Sequence, residues 1–404
     1  MGFPALLANV RILDASRILA GPFAGQLLGD LGADVVKLER PKAGDDTRSW
    51  GPPFVDDHTS AYYLSCNRNK RGLTLDLSHP EGQRLLHRLL PRFDVVLENF
   101  LPSTAAKLGL TPEQLWAVNP RLIVCSISGF GRTGPMADQP GYDLAIQAMS
   151  GLMSITGQPG GQPTKVGVAI ADVLTGLYAA NAILGCLIAR QQSDHGYAID
   201  LSLLDCTVAA QVNIMQAYLT KVDQGVSPAQ AAPGPQGNAH AQIVPYQYFD
   251  TADGGLVLAV GNDRQWHLFC ATVAPELDLP EYATNPQRVQ ARDRLVPQIA
   301  RRLRLQPTAV WLSMLQAVEV PCAPVWNYAE LWQAEQIKTR RMCVGVRDPQ
   351  GRPVHLLGSP LHLNGHTPPV AYPPALGQHS EEILRELADL AEGEIAELRN
   401  KGVM

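Results

Sequence analysis

Between Val10 and Ser128 the chain alternates between two hydrophobic periods, and this alternation constrains its fold more than any other feature. VRILDAS, DVVKLERP, GLTLDL, FDVVLENF and RLIVCSIS are short Val/Ile/Leu runs with few polar interruptions, as expected of strands buried on both faces. PFAGQLLGDLGA, HPEGQRLLHRLL and TPEQLWAVN lie between them and are amphipathic. Such a chain is expected to fold as α/β around a mostly parallel sheet. Ser78 before His79-Pro80-Glu81, and Thr111 before Pro112-Glu113, place a cap, a proline and an acid where helices start.

Residues 141–220 are denser in helix: GYDLAIQAMSGLM, then 173–190, then LLDCTVAAQVNIMQAYL. The Gly-, Pro-, Ala- and Gln-rich stretch 224–242 reads as a linker. YQYFDTADGGLVLAV after it reads as a hairpin with a DGG turn. Helices around 264–274, 293–303 and 307–317 would complete a smaller α+β unit. Beyond VPCAPVWN the pattern gives short strands and one C-terminal helix, Glu381 to Lys401. A chain of 404 residues is long enough for two such cores.

The formal net charge of −5 offers no global basic field for nucleic acid or an anionic membrane, so neither is an expected partner. MGFPALLANVRILDAS lacks the basic and apolar regions of a secretory signal, and Leu6 stands where myristoylation needs Ser or Thr. The apolar run Val166 to Ala189 contains Asp172 and internal glycines, and reads as a buried helix with its lead-in. Seven cysteines are dispersed without CxxC spacing, which implies a reducing cytoplasm and argues against structural zinc. The ten histidines form neither HxH nor HExxH, and Asp56-Asp57-His58 reads as a solvated loop. No metal is therefore expected.

Gly129, Gly131 and Gly134 spell GxGxxG directly after a strand. A dinucleotide fingerprint must open a helix at the first strand-helix turn. Here Pro135 follows, the segment continues as loop to Gly141, and several alternations precede it. The loop is better read as a ligand wall at a strand's carboxyl end. Cations gather near such ends: Lys37, Arg40, Arg68, Lys70, Arg71 and Lys107. They form either a solvated rim or a phosphate site.

GVAIADVLTG places Asp172 in an apolar run just before the helix expected from Val173. One reading is an N-cap. The other is a partly desolvated carboxylate held at a helix start for covalent catalysis.

The chain closely resembles the class III CoA-transferases, the formyl-CoA and carnitine-CoA transferase family. RILAGPFAGQLLGDLGADVVKLERPKAGDDTR, NRNKRGLTLDL, VVLENFLP, SGFGRTGP, GYDLAIQAMSGLMSITG and GVAIAD carry the likeness in order. It continues through GNAHAQIVPYQYFDTADG, GNDRQW, VPCAPVWN and LGQHSEEIL, covering essentially the whole chain. The resemblance implies a large Rossmann-like domain built from both chain ends (1–222 and 326–404), a smaller α+β domain between (223–325), and an interlocked homodimer. It places the nucleophile on Asp172 and CoA contacts on Leu19, Ala20, Arg40, Leu75, Asp76, Leu77, Ser78, Asn99, Phe100, Leu101 and Lys107. Gly141 departs from members that carry Lys there, and Gly261-Asn-Asp-Arg-Gln-Trp266 replaces a glycine-rich lid.

Related α-methylacyl-CoA racemases, the alternative reading, use a His in a GHD segment. This chain has GYD, and an unperturbed Tyr142 is a poor base near neutrality. A non-catalytic CoA-binding role is a further alternative. VPYQYF and the run from SGLMSITG to NAIL look most like the branch that moves CoA from succinyl-CoA to short dicarboxylates. The expected reaction passes CoA from an acyl-CoA to a free carboxylic acid through aspartyl intermediates, with CoA as substrate and no resident cofactor. Arg48, Lys165 and His240 are candidates for the acceptor's second carboxylate.

Overall fold

The structure, a computed structural model, describes residues 2–56 and 59–404; Asp57 and His58 of the polar loop lie outside the described residues. Two compact units emerge, one of Met1–Met153, Lys165–Ala231 and Gln336–Met404, the other of Ser154–Thr164 and Ala232–Glu335. The boundaries thus differ from those expected at 222/223 and 325/326. A short helix, Pro228–Ala231, buries Ala231 in the first unit, so the chain leaves only where the denser Pro/Gly run begins.

The first unit is built on six parallel strands: β1 (Arg11–Asp14), β2 (Asp34–Glu39), β3 (Lys70–Thr74), β4 (Val95–Glu98), β5 (Ile123–Ser128) and β6 (Ala198–Ser202). Their order is β3-β2-β1-β4-β5-β6. The order reverses between β1 and β4, so successive connections depart in opposite directions and open a crevice at the carboxyl ends of those two strands. Strand alternation supplies two cores. Ile12, Val35, Val95 and Ile123 face one side with Ala24 and Ile183, while Leu13, Val36, Val96 and Val124 face the other with Leu86 and Leu384.

The single C-terminal helix expected from Glu381 to Lys401 is instead two, Ser380–Ala388 and Glu392–Asn400. Asp389 takes φ +52 and ends the first, so Leu387 and Leu398 both reach the same core. At residue 80 the cap is His79, whose Nδ1 accepts the Glu81 N–H at 3.1 Å, because Pro80 already occupies the first helical position. Ser78 bonds Asp76 instead. Thr111 forms the expected cap, completed by Gln114.

Several cations expected near a ligand are consumed by the fold. Lys37 bonds Asp45 at 3.0 Å, Arg68 forks onto Asp30 at 2.6 and 3.0 Å, and Arg71 forks onto Asp34 at 2.7 and 3.0 Å. Lys70 reaches Asp14 at 2.8 Å, the Pro22 carbonyl at 2.7 Å and Asn67 at 2.9 Å. Lys37, Lys70 and their acids have fully buried side chains, and an unpaired charge there is costly.

The second unit has antiparallel strands β7 (Tyr246–Asp250), β8 (Gly255–Ala259) and β9 (Cys322–Pro324), ordered β9-β8-β7. Helices Asp263–Val273, Arg292–Leu303 and Thr308–Ala317 close its own core around Trp266, Phe269, Ile299 and Leu315.

Replacing Lys70→Met removes the ion-pair partner of the buried Asp14, leaving it Ser16 and the more distant charge of Lys37, and is expected to destabilise the protein by about 3 kcal/mol, measured by urea unfolding. A loss below about 1 kcal/mol contradicts this account of the pair.

Candidate functional site

Three strand ends meet at the crevice. Arg17, Ile18 and Ala20 follow β1, Asn99, Phe100 and Leu101 follow β4, and Ser128 and Gly129 close β5; with Tyr142 and Asp172 they line one cavity. Arg17 and Phe100 also line a second cavity, whose walls include Arg40, Leu75, Leu77 and Leu108. The Asn99 side-chain amide pairs twice with the Arg17 backbone, its Oδ1 accepting the Arg17 N–H at 2.8 Å and its Nδ2 donating to the Arg17 carbonyl at 2.7 Å. The Arg17 guanidinium lies over the Phe100 ring, 5.1 Å from its centroid.

Helix α1 (Ala20–Asp30) begins directly at this crevice. Before it, Ile18 adopts φ +71, a left-handed conformation costly for a β-branched residue, while its N–H donates to Asp45. This kink turns the start of α1 into the cavity. Helix α2 (Asp143–Met149) is brought to the end of β5 because Gly129 and Gly141 pack backbone on backbone. A Cβ on Gly129 would lie 2.6 Å from the Gly141 Cα.

Helix α3 (Ile170–Ala189) carries Asp172. The helix starts earlier than expected, and its N-cap is Ala169, which makes no side-chain cap bond. Asp172 is therefore the third helical residue and not the cap. Asp143 serves that end from outside, accepting the Ala171 N–H at 2.8 Å. Asp172 in turn accepts the backbone N–H of Ala20, the first residue of α1. The two helices approach this closely because their seam is made of small residues, Ala24, Gly176, Ala179 and Ala180. A Cβ on Gly176 would sit 2.8 Å from the Ala20 carbonyl oxygen.

Burial, and then the negative charge of Asp143, push the Asp172 carboxyl up to about 7, partly offset by the Ala20 N–H. Tyr62 senses the same charge: burial first and Asp172 next hold its phenol well above the ordinary tyrosine range. Its ring meets Trp50 edge-on at 5.3 Å.

Of the residues expected at the site, Ala20, Asn99, Phe100, Leu101 and Asp172 share one cavity, and Leu19 caps α1 beside it. Arg40, Leu75 and Leu77 line the adjoining one. Asp76 and Ser78 form a turn through their own hydrogen bonds. Lys107, in the last turn of Pro102–Leu108, is exposed, and its ammonium meets no acid among the described residues. Arg48 is not free for a substrate. Its buried guanidinium bonds Glu39 at 2.7 and 2.8 Å, the Tyr63 hydroxyl at 2.7 Å and the Pro374 carbonyl at 3.2 Å. Lys165 is exposed, and among the described residues it hydrogen-bonds only the Val166 and Gly167 carbonyls, at 3.4 Å. His240 belongs to the second unit, where it packs against Tyr246 and accepts the Gln242 N–H. Arg17 and Asp143 escaped the sequence reading, although both lie inside the quoted motifs, as SRILAGP and GYD.

The model of the family described as CoA-transferase family III matches residues 7–380. The chain belongs to that family. A succinate–glutarate CoA-transferase of Agrobacterium fabrum is 41% identical over 94% of this chain and 95% of its own length. The succinyl-CoA:glutarate CoA-transferase of Mus musculus is 40% identical over 98% and 90%. Among solved structures, a CaiB/BaiF family protein from Brucella suis superposes with a TM-score of 0.81 at 40% identity, covering 96% of this chain and 100% of that one. As a family III CoA-transferase, the chain is an enzyme acting on CoA thioesters.

Because the folded state raises the Asp172 carboxyl from 3.8 to about 7, the native protein binds its proton more tightly than the unfolded chain does. This contribution to stability is full at low pH and declines as pH rises between those values. Asp172→Asn is therefore expected to melt higher than the unsubstituted protein at pH 8, with the gap closing by pH 4. A constant or inverted gap in melting scans contradicts the burial argument.

Proposed function

We propose that this CoA-transferase moves CoA from succinyl-CoA to a short dicarboxylic acid, with Asp172 as nucleophile. The single observation that carries the reading is Asp172 itself: a carboxylate lining a cavity at the topological switch point, against the first N–H of α1. The names of the A. fabrum and mouse relatives support the acid pair.

In this reading the acyl end lies in the Asp172 cavity, and the rest of CoA runs over Phe100 into the adjoining one. Leu75 and Leu77 are its apolar wall there, while two exposed cations would meet phosphate: Lys107, and Arg40, which is paired with Asp46. Leu19, Asp76, Ser78, Asn99 and Leu101 complete the contact set. Lys165 and His240 remain the acceptor candidates.

An Asp172 oxygen attacks the donor thioester carbon, and the C–S bond breaks to give an aspartyl anhydride and CoA thiolate. The thiolate attacks the aspartyl carbonyl, forming aspartyl-CoA and releasing the donor carboxylate. The acceptor carboxylate then attacks aspartyl-CoA and expels the thiolate. Attack of the thiolate on the acceptor's acyl carbon regenerates Asp172 and forms the new thioester. Each step trades one activated acyl bond for another, so no outside energy source is needed. Exclusion of water by the bound substrates would protect the anhydride from hydrolysis.

Asp172→Ala is expected to abolish exchange, and hydroxylamine added during turnover should modify Asp172, as read by peptide mass spectrometry. Turnover with Asp172 unmodified overturns the nucleophile assignment. Succinyl-CoA offered against free mono- and dicarboxylates should favour glutarate-sized diacids; preference for monocarboxylates overturns the acid pair.

The homodimer is supported by several exposed apolar side chains. Leu144, Met149, Leu177, Ile188 and Val212 are each about half exposed or more, and four of them lie on α2 and α3. Light scattering should give twice the chain mass of 43.7 kDa, and the single-chain mass overturns the dimer. The seven cysteines are all free thiols, in keeping with a cytoplasmic setting.

A further inference from the structure

Asp143 is a short-range neighbour of the nucleophile that the reaction scheme above leaves unused. Both its oxygens are committed. Oδ1 accepts the Ala171 N–H at 2.8 Å, and Oδ2 accepts from the Gln147 side-chain amide at 2.7 Å. Gln147 is fully buried, and its own oxygen takes the Val166 N–H at 2.8 Å. One carboxylate therefore ties α2 to the first turn of α3 directly, and to the loop 166–168 through Gln147. Ala169, the residue in the cap position, makes no side-chain cap bond.

We propose that Asp143 is a positioning residue for the transfer reaction, holding the first turn of the Asp172 helix and setting a second negative charge beside the nucleophile. This rests on Asp172 being the nucleophile. A neutral amide at 143 would cap the helix adequately, since Asn and Asp are equally good acceptors for helix N–H groups. The charge has a separate effect. A like charge nearby makes the Asp172 carboxylate more basic, hence a stronger nucleophile once ionised, while restricting its ionised form to higher pH.

The other groups facing Asp172 do not reproduce this. From α1 it meets the Ala20 N–H, and from the β1–α1 turn the cationic Arg17 lines the same cavity. From the segment before α2 comes Tyr142, also in that cavity, and from Ala61–Cys66 comes the phenol of Tyr62. Helix Leu203–Ala210 sets Cys206 beside Thr175, within a turn of Asp172. Asp143 is the one anion among these described neighbours that acts on Asp172.

The test compares the unsubstituted enzyme with Asp143→Asn and Asp143→Glu, reading kcat/KM against pH and hydroxylamine labelling of Asp172. The acid limb of the unsubstituted profile should have its midpoint near 7, the position of the Asp172 carboxyl. Asp143→Asn keeps an acceptor for Ala171 and should move that limb to lower pH by about one unit. Asp143→Glu keeps the charge but displaces the cap. It should leave the limb within about 0.3 unit while lowering kcat about tenfold, on the order of a small misplacement of a reacting group.

A purely structural Asp143 would lower the melting temperature and kcat without moving the limb. An unmoved limb in Asp143→Asn, with Asp172 still labelled, overturns this proposal and leaves the nucleophile in place. If Asp143→Asn does not fold, an Asp143→Glu enzyme with unchanged kcat overturns it. Turnover without label on Asp172 overturns both readings together.

Discussion

Asp172 meets the amino-terminus of a second helix, and most of the active region depends on that contact. Its carboxylate lies on the Ala20 N–H because Gly176 lets α3 come close against the Ala20 backbone of α1. Gly176 permits the crossing, one turn beyond Asp172, and Ile18 is forced into a left-handed backbone so that α1 starts in the right direction. Two partial positive charges, one from each helix start, converge on one carboxylate. Burial and Asp143 act in the opposite sense. The balance leaves a carboxyl poised near neutrality, which is where a carboxylate nucleophile combines availability with basicity.

The crevice that receives this carboxylate follows from strand order. With β1 and β4 adjacent and their connections leaving in opposite directions, the segments Arg17–Ala20 and Asn99–Leu101 separate and form the walls. The two bonds from the Asn99 side-chain amide to the Arg17 backbone tie these walls together. The Arg17–Phe100 stack stands at the junction of the two cavities, so both are controlled by the same pair of side chains.

The sheet beneath is held by buried ions. Asp14–Lys70 and Asp45–Lys37 lie under the crevice with no exposed side-chain surface, and Glu39–Arg48 and Asp30–Arg68 lie beside them. Lys37 lies within β2, Lys70 opens β3 and Arg68 just precedes it, positions near strand ends where a phosphate ligand is equally plausible on local grounds. What separates the two uses is burial: a cation closed off from solvent needs an acid of its own, whereas Lys107 is exposed and Arg40, though paired with Asp46, keeps an exposed side chain.

The alternation of buried runs and amphipathic segments determined the α/β class, the parallel strands and the linker region, because each is written in short-range periodicity. The helix carrying Asp172 was also visible, as was the Gly-rich wall after β5. Its exact start was not: local preference makes Asp172 a cap, while the fold hands that duty to Asp143, 29 positions earlier in the chain, through the Ala171 N–H. The same reason explains Arg48, whose charge reads as available until Glu39 and Tyr63 are brought around it. Composition and period therefore decided what elements this chain would make. Only tertiary contact decided which charges would be spent on the fold and which left at the crevice, because pairing depends on distances between residues that the sequence keeps far apart.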